Sequence, residues 1–212
     1  MTDPGEQYLG QWQHLSAPIG RVIDALAAIF DRVCQVRRHG DIDVHRILDE
    51  CISEFGLSPS YERKSAILAK VLPHLEPCLD RCESPIEAIM LFAMLSTFAI
   101  HCTGDWSSTD DGILIYSKPG SAEGVALWQQ ATVGRYRPDF ILDGPRCIVI
   151  ECDGHHFHER TAAQAQRDRS RDRHFQMGGY LVLRFTGSEI WRRPSQCAIE
   201  VFDAAFPGRF SR

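Results

Sequence analysis

The chain has 212 residues, 44% hydrophobic and 24% charged, which suits a globular protein with a sizeable core and excludes a disordered or low-complexity chain. No run approaches the ~18 apolar residues needed to span a bilayer, and the acidic, polar opening MTDPGEQYLG does not read as a secretory signal, so a cytoplasmic protein with no membrane role is expected. The net charge of −5 is unevenly divided: residues 1–130 hold 10 basic and 18 acidic side chains, whereas residues 131–212 hold 13 arginines, no lysine and 10 acids.

The first hundred residues read as helices. APIGRVIDALAAIFDRVCQVRR (17–38) spaces Val22, Leu26, Ile29, Phe30 and Val33 at helical intervals, and DVHRILDECISEF (43–55) repeats the pattern. GLSPS (56–60) is a break. YERKSAILAKVLPHLEPCLDRC (61–82) is helical again, with Pro73 and Pro77 expected to kink or end it. SPIEAIMLFAMLSTFAIH (84–101) opens a strongly apolar helix: Ser84 caps it, Pro85 takes the first turn and Glu87 stands where a capping box places a carboxylate.

The period then changes. TGDWSSTDDG (103–112) reads as a polar loop, and ILIYSK, GVALWQQATV, RYRPDFIL and RCIVIEC follow as strands, the last two joined by the turn signal DGP. AAQAQRDRSRDRHFQM (162–177) is a helix stopped by Gly178 and Gly179. YLVLRF is a short apolar strand of the kind buried in parallel sheets, and GSEIWRRPSQCAIEVFDAAF is a closing helix interrupted or started by Pro194. A crossover helix between the last two strands makes them parallel. The expected class is α/β: a mixed four- to five-stranded sheet flanked by helices over residues 84–212, with an all-helical region over residues 1–83. The apolar stripes of that region pack on the core, or serve a protein partner or self-association. The eight cysteines, none in a CxxC pair, read as reduced core thiols.

The chemistry concentrates in IVIECDGHHFHE (148–159). Strand residues alternate faces, so Val149, Glu151 and Asp153 project together. A hairpin about Gly144–Pro145 brings Asp139 opposite Glu151, or nearly so. Three converging carboxylates repel, and one takes up a proton unless a cation intervenes. Hard oxygen donors suit Mg²⁺ or Mn²⁺, which can acidify an attacking water and offset charge on phosphorus. His155, His156 and His158 follow at once and suggest a metal or proton-transfer site; a zinc hydrolase is the rival, but no second histidine pair with zinc spacing is present.

The ordered set RPDFIL…IVIECDG resembles the PD-(D/E)xK nucleases of the restriction-endonuclease-like fold. With QQATVGRYRPDF, RDRSRDRHFQMGGYLVLRF and SEI, it is most similar to the very-short-patch-repair endonucleases and their bacterial relatives, over about residues 84–205. The resemblance implies that Asp139, Glu151 and the main-chain carbonyl of Cys152 hold Mg²⁺ or Mn²⁺, and Asp153 is expected as a further ligand of the same ion. Asp153 stands where most of the family has lysine. His158, then His156, fall at the general acid/base position of the repair branch. Glu87 matches an acidic position that can join the metal shell, in competition with its capping role. Gln130, Arg137, Arg167, Arg171 and Arg184 are expected to face nucleic acid, DNA in preference to RNA, because phosphate contacts supply much of such affinity and arginine suits phosphate oxygens. The expected function is a metal-dependent DNA endonuclease. The alternatives are a catalytically idle nuclease-like binding module and a ribonuclease on the same scaffold.

Overall fold

A computed structural model of the chain describes residues 43–110, 112–120, 123–153 and 162–207. The helix expected over 17–38 and the histidines His155, His156 and His158 lie outside the described residues. The chain divides into two compact units, residues 1–46 and 47–212, and only residues 43–46 of the first are described.

Helix α1 (Val44–Ser53) buries Ile47, Leu48, Cys51 and Ile52 as one stripe. Helix α2 (Tyr61–Leu79) starts at Ser60, whose hydroxyl accepts the Arg63 N–H at 3.3 Å. The prolines expected to kink or end it do not end it. Pro73 and Pro77 stand four apart on the exposed face. The opposite stripe of Leu68, Val71, Leu75, Cys78 and Leu79 is buried and holds the helix together through both. Helix α3 (Pro85–His101) is buried on all sides from Pro85 to Phe98, because it packs between α2, the sheet and the C-terminal helix. Its first turn is built as the sequence implies, with the Ser84 hydroxyl accepting the Glu87 N–H at 3.2 Å.

Six strands follow, not four or five: β1 (Trp106–Ser108), β2 (Gly112–Tyr116), β3 (Gly124–Gln129), β4 (Phe140–Asp143), β5 (Ile148–Asp153) and β6 (Leu181–Thr186), in that spatial order. The unexpected one is β1, inside the segment read as a polar loop. Three residues carry no legible period, and they pair only because β2 offers an open edge, with Trp106 opposite Ile115. The first five strands form an antiparallel meander; β6 joins β5 in parallel through helix α4 (Ala162–Met177).

The strand expected over RYRPDFIL starts late, at Phe140. Pro138 has no N–H for a ladder, and Val133–Tyr136 instead closes a tight turn with Gly134 at φ 60°. A side chain at Gly134 would also meet the His174 ring 2.7 Å away. The β4–β5 hairpin turns about Gly144–Pro145 as expected, with Leu142 opposite Ile148 and Phe140 opposite Ile150.

This register assigns the faces. Trp128, Ile141, Val149 and Val182 line one face of the sheet, and α4 covers them with the fully buried Phe175. Ile148, Ile150 and Cys152 point to the other side, where α3 and the C-terminal helix lie. With both faces covered, β5 is apolar on both sides until its end.

The C-terminal segment breaks into α5 (Gly187–Arg192) and α6 (Pro194–Ala205) at Arg193, as the following proline requires. Thr186 ends β6 and starts α5 in a reciprocal capping box: its hydroxyl accepts the Glu189 N–H at 3.2 Å, and Glu189 accepts the Thr186 N–H at 2.7 Å. Thr186→Ala should therefore cost about 1 kcal/mol in urea unfolding. A stability equal to wild type would mean that the cap contributes nothing. All seven described cysteines are free, and no described helix is long and apolar enough to cross a membrane.

Candidate active site

The acids of interest stand where β4 enters and β5 leaves the sheet. Extending the Phe140–Ile150 register by one residue puts Asp139 opposite Glu151, on the face that α4 covers. Asp139 Oδ2 accepts the backbone N–H of Cys152 at 2.6 Å, which ties the start of β4 to the end of β5. Glu151 is 3% exposed, with Phe175 and Val149 buried on the same face. Asp153, two residues on, is paired across the parallel ladder with Thr186, as Glu151 is with Arg184.

Two arginines reach this face from different elements. Arg171 comes down from α4, because Phe175 one turn later anchors that stripe on the sheet. Its Nη2 stands 2.6 Å from Glu151 Oε1 and also donates to the carbonyl of Arg137 at 3.0 Å. The Glu151 contact has charge proximity without hydrogen-bond alignment: Glu151 Oε1 and Arg171 Nε are both buried without a hydrogen-bond partner. Arg184, from β6, is fastened differently. Its Nε and Nη2 both donate to Asp172 Oδ1, at 3.0 and 2.6 Å, and its Nη1 reaches Asp153 Oδ1 at 3.3 Å. Asp172 turns to the neighbouring strand, and Arg171 turns to the next.

Glu87 approaches from the other side of the sheet. It is 5% exposed, accepts the Ser84 hydroxyl at 2.7 Å and the Glu83 N–H at 2.9 Å, and takes a third hydrogen bond from Gln130 Nε2 at 3.1 Å. The backbone donor is Glu83, one residue before the cap, so the box is wider than the sequence implies. Gln130 adopts a left-handed backbone (φ 51°), rare for a residue with a side chain, and its N–H donates to the Asp139 carbonyl at 3.0 Å. Its amide, expected to face nucleic acid, is thereby directed to Glu87. Arg137 forms an exposed ion pair with Glu83 that is worth little in water. Arg167 is exposed on α4.

Burial is the main influence on these carboxyls. It pushes Glu151 up to about 8; Arg171 and Arg184 work against the rise, and Asp139 and Asp153 add to it. Asp139 is also raised, by burial first, with the Cys152 N–H and Arg171 opposing. Glu87 is raised by burial, opposed by its Ser84 and Glu83 hydrogen bonds, with Asp139 adding to the rise. Arg184 is raised although burial disfavours its charge, because Asp172, Glu151 and Asp153 outweigh that cost.

Among the described residues no three His, Cys, Asp or Glu side chains are placed to hold a metal ion. The sequence points to three carboxylates, Asp139, Glu151 and Asp153, with the main-chain carbonyl of Cys152; the three side chains are not gathered around one point, because Asp153 is turned to Arg184, which leaves Asp139, Glu151 and the Cys152 carbonyl as the candidate set. Its hard oxygen donors suit a small divalent cation, and Glu151 Oε1 is a buried carboxyl oxygen with no hydrogen-bond donor. Both features fit such an ion.

Sequence reasoning missed the anchoring of Arg184 by Asp172 and the link between Gln130 and Glu87. The second joins positions 43 residues apart, and no local pattern carries it.

Residues 121–204 match the family model REase_MTES_1575, a restriction-endonuclease-like family, while no curated protein and no solved structure gives a significant match. The matched segment includes Gln130, Asp139, Glu151, Asp153, Arg171 and Arg184 and leaves out Glu87. Residues 121–204 are thus similar to a restriction-endonuclease-like family.

Proposed function

We propose that the protein is a metal-dependent nucleic-acid phosphodiesterase, a DNA endonuclease that hydrolyses phosphodiester bonds. The observation that carries this reading is the hydrogen bond from the Cys152 N–H to Asp139, which holds the start of β4 beside the Glu151 end of β5, within the segment that matches a restriction-endonuclease-like family. Asp139, Glu151 and the Cys152 carbonyl would hold Mg²⁺ or Mn²⁺, with Asp153 next to them. The chemistry such a cation supplies is acidification of a water and neutralisation of charge on the phosphoryl oxygen. Asp139 holds the end of β5 in place through the Cys152 N–H. Arg184, fixed by Asp172, orients Asp153. His158, then His156, are the proposed proton carriers. The exposed Arg135, Arg137, Arg167, Arg169 and Arg173 offer the phosphate backbone a basic surface. DNA is proposed over RNA on the resemblance of the motif order to the very-short-patch-repair branch, and a cytoplasmic setting is proposed with it.

The test is cleavage of single-stranded DNA, duplex DNA, mismatched duplex and RNA by the purified chain in Mg²⁺ and in Mn²⁺. Cutting of DNA is expected, and no cutting of any substrate in either metal would end the reading. Cutting of RNA alone would make the protein a ribonuclease. One observation favours an idle binding module instead: Asp153 replaces the family lysine, and arginines sit on both Glu151 and Asp153. Such a module would bind nucleic acid but neither Mg²⁺ nor Mn²⁺.

A further inference from the structure

Arg171 and Arg184 both neutralise acids of the candidate site, but they are tied in differently. Arg184 has a carboxylate partner outside the proposed metal set: Asp172 accepts two of its N–H groups, at 3.0 and 2.6 Å. The carboxylate in contact with Arg171 is Glu151, an intended metal ligand, and the contact lacks hydrogen-bond alignment. Its other holds are one bond to the Arg137 carbonyl, the face of Phe175, 5.8 Å from the guanidinium carbon, and the charge of Asp139. Its Nε is buried with no acceptor. The site therefore contains one firmly anchored cation and one that is loosely placed beside the most buried acid.

We infer that Arg171 is an internal counter-ion that a divalent cation must displace from Glu151, and that the displaced guanidinium is then free to engage a backbone phosphate. The inference rests on the nuclease reading above and adds an order of events to it. A divalent cation on Glu151 would lie within a few ångströms of the guanidinium, and two such cations repel strongly at low dielectric. Arg171 is 25% exposed and sits one turn from the exposed Arg167, so its path out leads to the basic face of α4. Cation binding would thereby add one arginine to the phosphate-binding surface, where the planar fork matches phosphate oxygens. Without the cation, the same arginine stays beside Glu151.

The experiment is calorimetric titration of Mn²⁺ into the full chain, comparing wild type with Arg171→Gln and Arg171→Lys. Arg171→Gln removes the competing charge and should bind Mn²⁺ at least about tenfold more tightly, while Arg171→Lys keeps the charge and should stay near wild type. Equal or weaker affinity in Arg171→Gln overturns the inference, as does equal tightening in both variants. If Arg171→Gln does not fold, the unmodified protein still decides: the Arg171 Nε–H signal in ¹⁵N spectra should move on titration with Mg²⁺. A signal unmoved at saturation overturns displacement. Cleavage without an affinity change removes the inference and leaves the nuclease reading standing. A tenfold affinity gain with no substrate cut does the reverse. Mn²⁺ binding to neither wild type nor Arg171→Gln removes both.

Discussion

Asp139→Asn and Glu151→Gln should each lower Mg²⁺-supported DNA cleavage by about 10³-fold, corresponding to roughly 4 kcal/mol of lost charge stabilisation at the phosphoryl group. The amides are more informative than alanine. Asp139 accepts the Cys152 N–H, so Asp139→Ala also leaves a buried donor unsatisfied, at a cost of about 1–3 kcal/mol in stability. Asp139→Asn keeps an acceptor in place and removes only the charge. Melting temperature and cleavage measured together separate the two effects: Asp139→Asn should melt near wild type and be inactive. Cutting at wild-type rate by either amide variant would show that the paired acids do not carry the chemistry.

Glu151 should also make the metal-free protein less stable as pH rises. Its carboxyl is pushed up to about 8 in the folded chain, mainly by burial, against an ordinary value of 4.5. Between those two values the folded state holds a proton that the unfolded chain has released. The unfolded chain then binds fewer protons, so unfolding free energy falls with rising pH, by up to about 1.4 kcal/mol per unit. The loss begins near 4.5 and is complete above about 8. Glu151→Gln has no proton to lose at this position. In urea unfolding at pH 5, 6.5 and 8 it should show a flatter profile and exceed wild type by a few kcal/mol at pH 8. Parallel profiles for the two proteins would sink this account. A residue that aids catalysis at the expense of stability is common at functional sites.

These two expectations use features that differ in how far the sequence revealed them. The helix over Ala162–Met177 has the bounds expected from its composition and the double glycine after it. The Ser84 cap and Pro85 start of α3 are local chemistry, and the structure repeats them. The β4–β5 turn about Gly144–Pro145 and the shared face of Val149 and Glu151 follow from turn residues and a period of two. Strand β1 was not legible, because three residues with polar neighbours have no period until an edge pairs with them. Nor was the passage of α2 through Pro73 and Pro77, which depends on which face meets water.

A common face for the acids at 139, 151 and 153 is legible in the sequence, since alternation along a strand and a two-residue turn signal predict it; their gathering around one point is not found among the described residues. Their counter-ions are not legible in the sequence. An arginine has a long side chain that can reach partners on several elements, and spacing along α4 pairs Arg171 and Asp172 equally well with their own helix. The choice is made by the docking of Phe175 on Val149 and Ile141, which turns Arg171 to Glu151, and by the parallel register of β5 with β6, which brings Arg184 between Asp153 and Asp172. Local periodicity decides which face a side chain leaves from; only the packing of one element on another decides which charge it meets there.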